Sequence, residues 1–478
     1  MTSDEQKSEV RRQESEPENL RLSTPDSPRI QDNPSPQPLV PSPFRLRTFV
    51  GFGFGPIQAG LFLYEAFRSG SFRRVVVGEV APDIVDAVRK SGGRCWVNIA
   101  HSDRIEREEI GPVEIEDPGS EPGRRCLVDA IADAEEIATA VPSVEFYASP
   151  SPGSIHRLLA QGLRRKAAKQ GRRAIVYAAE NHNHAAEILE AKVLEEVPEN
   201  ERERVSSRVR FLNTVIGKMS GVVSDPDEIR LQGLPTITPG GQRAFLVEAF
   251  NRILISRIRF PPSGDAPPFE RGIKVFEEKD DLLPFEEAKL YGHNSTHALA
   301  AYVGVMRGVQ RIADLNQYPD ILGFLRAAFI QESGEALVRK HAGQDRLFTH
   351  EGYREYADDL LARMVNPFLN DTVERVGRDP QRKLGWDDRL VGTLRVALEQ
   401  GIKPWRFAFG TAAALAALDR KTLDTEVPVA NWLDRLWQSA SPDKLEKATV
   451  IGLIEEGRKR LRQWRASGFQ NLEELFSR

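Results

Sequence analysis

The residues best suited to moving a proton lie in one stretch, Pro284-Phe-Glu286-Glu-Ala-Lys289-Leu-Tyr-Gly-His293-Asn294-Ser-Thr-His297. Lys289, His293 and His297 recur every four residues, so on a helix they share a face, and Asn294 stands next to it. A lysine, an amide and an imidazole converging there could receive a substrate hydroxyl. The amine would take its proton, and the other two would hydrogen-bond the oxygen as charge develops. Two other readings compete. One is a solvated polar helix face with incidental histidines. The other is zinc, because His293 and His297 have HxxxH spacing; yet Asn294 stands where a zinc protease carries glutamate, and no third ligand suggests itself.

A second constellation precedes it. Phe52-Gly53-Phe-Gly55-Pro-Ile57-Gln58-Ala-Gly60 sits between a strand-like run, Arg47 to Gly51, and a helical pattern, Leu61 to Phe67. Gly53 permits a tight turn, Gly55 lets backbone approach a pyrophosphate, and the helix start offers free N–H donors. Gln58 replaces the third glycine of the dinucleotide fingerprint, leaving Gly60 to supply close helix–strand packing. Glu79 ends the next strand 26 residues after Gly53, where an acid binds the ribose hydroxyls of the adenosine. Its charge would repel a 2′-phosphate, and Val80-Ala81-Pro82 offers no arginine to bind one, so the expected cofactor is NAD.

The surrounding pattern fits. Strand-like runs at 74–79, 137–141, 174–178 and 209–215 alternate with helical stretches at 155–169 and 185–194, which predicts an α/β, Rossmann-type, doubly wound parallel sheet. From about 245 onward long helical periods dominate (287–312, 322–342, 353–364 and 388–401). The expectation is a nucleotide-binding domain over 45–243 and a mostly α-helical substrate and catalytic domain over 244–478. Residues 1–44 carry eight prolines, seven serines and no glycine, and are expected to form a disordered tail.

Composition excludes several classes. Sixty-six Lys+Arg against 70 Asp+Glu leave a net charge of -4, which gives no electrostatic case for nucleic acid. Cys95 and Cys126 cannot build a disulfide framework. The longest apolar run, Ala412 to Leu418, is too short for a membrane span. The first residues lack the apolar core of a secretory signal, so a soluble, cytoplasmic protein without membrane partners is expected.

Lys289-x4-Asn294-x2-His297 resembles the signature of the polyol-specific long-chain dehydrogenases, the mannitol dehydrogenase and mannitol-1-phosphate 5-dehydrogenase family. The likeness extends over most of residues 48–400. The glycine loop is similar to that family's FGxGxIxxG through Gly53, Gly55, Ile57 and Gly60. Thr139-Ala-Val141-Pro142 resembles its TAVGP segment, Glu180-Asn181 its EN pair, and Phe245-Leu-Val-Glu248 the start of its helical domain. Arg378-Asp-Pro-Gln-Arg382-Lys383-Leu384 resembles the RDPxRKL of its phosphate branch. The resemblance implies metal-independent oxidation of a secondary alcohol by NAD in a monomer or dimer. In it Lys289 is the general base, Asn294 and His297 hold the reacting oxygen, and Glu286 passes the proton to water or serves only as an acid in the first helical turn. Asn181 reaches the substrate.

One departure stands out: Gly217-Lys218-Met219 replaces the family's Asp-Arg-Ile, with Lys218 the candidate substitute for the arginine. His182 and His184 read as polar loop residues. The expected substrate is a sugar alcohol, mannitol 1-phosphate first, with Arg378, Arg382 and Lys383 as phosphate ligands or interdomain ion pairs. An unphosphorylated polyol dehydrogenase, a uronate reductase and a non-catalytic dinucleotide-binding regulator are the alternatives.

Overall fold

The computed structural model describes residues 47–261 and 268–476, so the expected tail lies outside the described residues. Within them the strands are β1 (Arg47–Phe52), β2 (Phe72–Gly78), β3 (Cys95–Ala100), β4 (Ile105–Ile110), β5 (Glu114–Glu116) and β6 (Glu136–Thr139). They continue with β7 (Ala174–Ala178), β8 (Val209–Val215), β9 (Ser220–Val223), β10 (Ala244–Glu248), β11 (Leu254–Ser256) and β12 (Glu277–Lys279). One sheet runs β12-β11-β8-β7-β6-β1-β2-β5. From β5 to β8 each neighbouring pair is parallel. Relabelled in sequence order, these six strands read 3-2-1-4-5-6, the doubly wound arrangement whose crevice opens between β1 and β6 at their C-terminal ends.

These strands form because their apolar residues serve both faces. Val50, Val76, Ile137 and Val176 pack beneath the helices Glu121–Asp133 and Ile155–Ala168, against Leu127, Ile131, Leu158 and Leu163. Phe49, Val75, Val77 and Tyr177 point the other way, onto Phe62 and onto Val97, Ile99, Phe245 and Val247 of a second sheet. That sheet runs β4-β3-β10-β9 and is absent from the sequence expectations. Its edge strand β4 carries Glu106, Arg107, Glu108 and Glu109; edge charges that deter aggregation also hide the strand's apolar rhythm.

Strands continue beyond the expected boundary at 243. β10 pairs with β3, while β11 pairs with β8 and β12 with β11, extending the main sheet to Lys279. Helices begin at Leu283. β11 and β12 have three residues each, too few for a period-two pattern to show. The helical part packs tightly: a Cβ on Gly410 would fall 2.0 Å from Leu299 Cδ1, and one on Gly457 2.4 Å from the Ala408 carbonyl. Its core takes in Trp437 and Trp464, and also Ala100, Val215 and Leu246 from the sheets and Met219 just before β9. One continuous core thus fixes the helices against the sheet edge where the site lies. No helix among the described residues is long and apolar enough to cross a membrane.

Candidate active site

The glycine loop leaves β1 through Gly53, whose φ of +83° disfavours other residues. A Cβ there would also strike the Ala140 carbonyl at 2.7 Å. Gly55 faces open space: among the described residues, none but its chain neighbours comes within 4 Å of where its Cβ would be. The helix then starts at Pro56, which suits the first helical position, leaving the amides of Ile57 and Gln58 as donors free of the helix ladder. Gly60 lies against β10, and a Cβ would fall 2.5 Å from Val247 Cγ1.

Gln58 is fully buried rather than facing the cleft. Its amide sits where a Gly51 Cβ would come within 2.2 Å, and neither of its polar atoms has a hydrogen-bond partner among the described residues. The missing third glycine is thus compensated by a glycine on the strand beneath.

Gly53, Gly55, Ile57, Glu79 and Val141 line a cleft of about 840 Å³. Thr139 does not; it is buried and donates to Glu180 Oε2 at 2.8 Å. The Glu79 carboxylate accepts from the amides of Phe54 at 2.6 Å and Ala81 at 2.8 Å, which ties the acid to the loop it serves. Val80, Phe146 and Val222 expose 77%, 58% and 47% of their surface on the cleft, apolar area that a flat ring would cover. A free glycine cradle, a helix start and an anchored acid suit a dinucleotide.

Lys289 and Asn294 lie on a π-helical stretch, Ala288–Asn294, between the short helix Leu283–Glu287 and the helix Ser295–Arg307. This corrects the plain helical face read from the sequence. With i→i+5 hydrogen bonding, Asn294 stacks about one turn above Lys289 instead of falling beside the face. Lys289 Nζ donates to Asn181 Oδ1 at 2.9 Å. Asn181 follows the C-terminal end of β7, so the sheet aims an amide at the helical domain's amine.

Both residues line a polar cavity of about 440 Å³ together with Asn294, Glu286, Arg382 and Arg389. His182 and His184 also line it. Burial, then the Arg389 charge, lowers the Lys289 pKa from 10.5 to about 8, with Glu286 opposing. Burial and the Glu187 charge raise Glu286 to about 7. Burial thus draws the two groups toward each other, the amine down and the carboxyl up. Arg389 went unnoticed in the sequence because a lone arginine after Asp387-Asp388 carries no pattern.

His297 is turned toward Asp371, with Nε2 3.4 Å from Oδ2, and is not among the residues lining this cavity. Burial and the charges of Arg375, Arg389 and Lys383 push its pKa down to about 3, which favours the neutral imidazole. Arg375, paired with Asp371, was likewise missed.

The other basic candidates divide. Arg382 lines the cavity beside its partner Asp379. Arg378 is exposed, and buried Lys383 donates to the Arg378 carbonyl, so neither reaches the cavity. Lys218 is also turned away; it donates to the Phe250 carbonyl at 3.1 Å and Asn251 Oδ1 at 2.7 Å. Lys289 borders a second cavity of about 370 Å³, lined by Gly217, Phe250, Phe285, His293 and Arg363. A Cβ on Gly217 would meet only His293 and Phe250, both at 3.8 Å, so the residue standing for the family's acid leaves an open wall. Arg363 closes its far side, donating to the Gly217 carbonyl at 2.7 Å and pairing with Glu248 at 2.5 Å.

A dinucleotide-type sheet joined to a helical domain that brings lysine, two asparagines and a carboxyl around one polar cavity suits the removal of a proton and a hydride from an alcohol, the reaction class of a dehydrogenase. Similarity to known proteins narrows it. Residues 281–451 match the family model of the mannitol dehydrogenase C-terminal domain, which begins where the helices begin. The chain is 31% identical over 366 residues to mannitol-1-phosphate 5-dehydrogenase of Bacillus licheniformis, covering 76% of this chain and 86% of that protein. It is 31% identical over 365 residues to the Bacillus subtilis enzyme of the same name, with the same coverage. The chain belongs to the mannitol dehydrogenase family.

Solved structures share the fold. D-sorbitol dehydrogenase in substrate-free form superposes with a TM-score of 0.69 at 13% identity, covering 90% of this chain and 95% of that one. Pseudomonas fluorescens mannitol 2-dehydrogenase, in complex with NAD and D-mannitol, gives 0.64 at 16% identity, covering 91% and 95%.

Proposed function

We propose that the chain oxidises a secondary hydroxyl of a sugar alcohol, mannitol 1-phosphate first, to the ketose fructose 6-phosphate, with NAD as acceptor and Lys289 in place of a metal as the base. The observation that carries this is the Lys289–Asn181 contact at 2.9 Å in a polar cavity, with the amine brought down to about 8. When bound, NAD supplies the carbon that accepts the hydride. Neutral Lys289 takes the hydroxyl proton as the carbon–hydrogen bond gives up its electron pair, so the alcohol loses a proton and a hydride and becomes a ketone. Asn294 holds the oxygen as negative charge grows on it, and Asn181 keeps Nζ aimed. Glu286 receives the proton from Lys289 at the cavity wall. Arg382 and Arg389 are the cations that would meet a phosphate.

Because Arg378 and Lys383 are turned away from that cavity, an unphosphorylated polyol is the second reading. Assaying NADH formation from mannitol 1-phosphate, mannitol, sorbitol, arabinitol and reduced uronates separates the two. Arg382→Ala should raise KM for the phosphorylated substrate about tenfold, the loss of one charge-assisted contact. Equal turnover of mannitol, or a KM indifferent to Arg382, would favour the unphosphorylated reading.

A further inference from the structure

The dinucleotide cleft is acidic at its adenosine end. Glu79, Asp117 and Glu145 line it, and the one cation among its described lining residues is Arg243. Arg243 immediately precedes β10 and lies far in sequence from the glycine loop, which is why the segment after Glu79 alone suggests that no arginine is near. In the fold, Arg243 Nη2 lies 2.6 Å from Asp83 Oδ2. Asp83 is in the first turn of the helix Pro82–Lys90, four residues beyond Glu79. Val80, Ala81 and Ile84, which flank Asp83, line the same end of the cleft. The two side chains expose 44% and 68% of their surface, and an ion pair so wet adds little to stability. Its consequence is local: it neutralises and holds the one guanidinium among the described residues that line the cleft with the ribose acid.

We propose that Arg243 is a latent 2′-phosphate receptor, and that Asp83 and Glu79 together set cofactor choice. Glu79, anchored by the Phe54 and Ala81 amides, takes the position beside the ribose hydroxyls and repels a phosphate there. Asp83 occupies the guanidinium that would otherwise bind that phosphate. Selectivity for the unphosphorylated dinucleotide is therefore held by two carboxylates on one short segment against an arginine already in place. This inference rests on the dinucleotide reading above.

The test is calorimetric titration of NADH and NADPH into the wild-type protein, Asp83→Asn, the double variant Glu79→Gln/Asp83→Asn, and that double variant with Arg243→Ala added. Wild type binds NADH and holds NADPH more weakly. Asp83→Asn tightens NADPH several-fold, and the double variant by roughly 10- to 100-fold, the worth of charge-assisted hydrogen bonds between guanidinium and phosphate. Adding Arg243→Ala removes that gain. A double variant with no gain, or a gain that survives Arg243→Ala, overturns the proposal while NADH binding leaves the nucleotide reading intact. Absence of NADH binding in the wild type would overturn both.

Discussion

Arg389 gives the sharpest handle on the lysine. Its guanidinium and burial both act to make the amine of Lys289 neutral, while Glu286 pulls the other way. At an ordinary pKa of 10.5 about one lysine in a thousand is neutral at pH 7.5, against about a quarter at pKa 8, so the site raises the amount of competent base roughly 200-fold. Arg389→Gln removes a positive neighbour, which must raise the Lys289 pKa, by about half a unit to one unit for a partly screened charge.

Oxidation needs the neutral amine, so its rate rises with pH through that pKa, and the limb should move to the alkaline side. At pH 7.5 the variant should oxidise polyol about three- to eightfold more slowly, with the deficit gone by about pH 10. Reduction of the ketose needs the protonated amine and should hold its rate to higher pH than in the wild type. Glu286→Gln removes the opposing charge and should shift both limbs toward acid. The assay is kcat/KM against pH in both directions. A limb that stays put in both variants, or moves the same way in each, would refute the electrostatic reasoning. A pH-independent loss in Arg389→Gln with neither limb displaced would mean that the arginine acts only through the substrate phosphate and not on the lysine.

Other outcomes follow from packing. Gly60→Val would drive methyl groups into Val247 and should lower stability by about 1–3 kcal/mol while weakening NADH binding, readable as a lower Tm and a weaker Kd. Lys218→Met leaves the Phe250 carbonyl and Asn251 without their donor and should cost about 1–3 kcal/mol. Because Lys218 faces away from both cavities bordering Lys289, KM for polyol should stay within about twofold; a tenfold rise in KM at unchanged Tm would place it in the substrate site after all.

The parts legible in the sequence were those whose chemistry is local. The strands around Val50, Val76 and Val176 are apolar on both faces, and no short surface segment mimics that. Gly53, Gly55 and Glu79 announce themselves because a turn, a helix start and a strand end each demand a particular residue type. What stayed hidden depends on partners distant in sequence. β3 and β10 acquire their pairing from residues over a hundred positions apart, as the Asn98–Phe245 hydrogen bond shows. Arg243 and Arg389 are plain surface arginines until the fold sets one on Asp83 and the other beside Lys289. The RDPQRKL segment shows the limit of a charge string: its basic residues read alike as phosphate ligands or ion pairs, and only the fold separates them, with Arg382 lining the cavity and Lys383 donating to the Arg378 carbonyl. The π-helical stretch carrying Lys289 and Asn294 has no period of its own in the sequence, and it changes which residues stack.

The central claim is that Lys289 is the base. Lys289→Ala should lower kcat at least 100-fold, the lower end of what a positioned base contributes, and leave NADH affinity unchanged. Small primary amines added to the variant should restore turnover in proportion to their neutral fraction. Turnover within tenfold of the wild type, or a loss that no amine rescues while the fold and NADH binding persist, would contradict it.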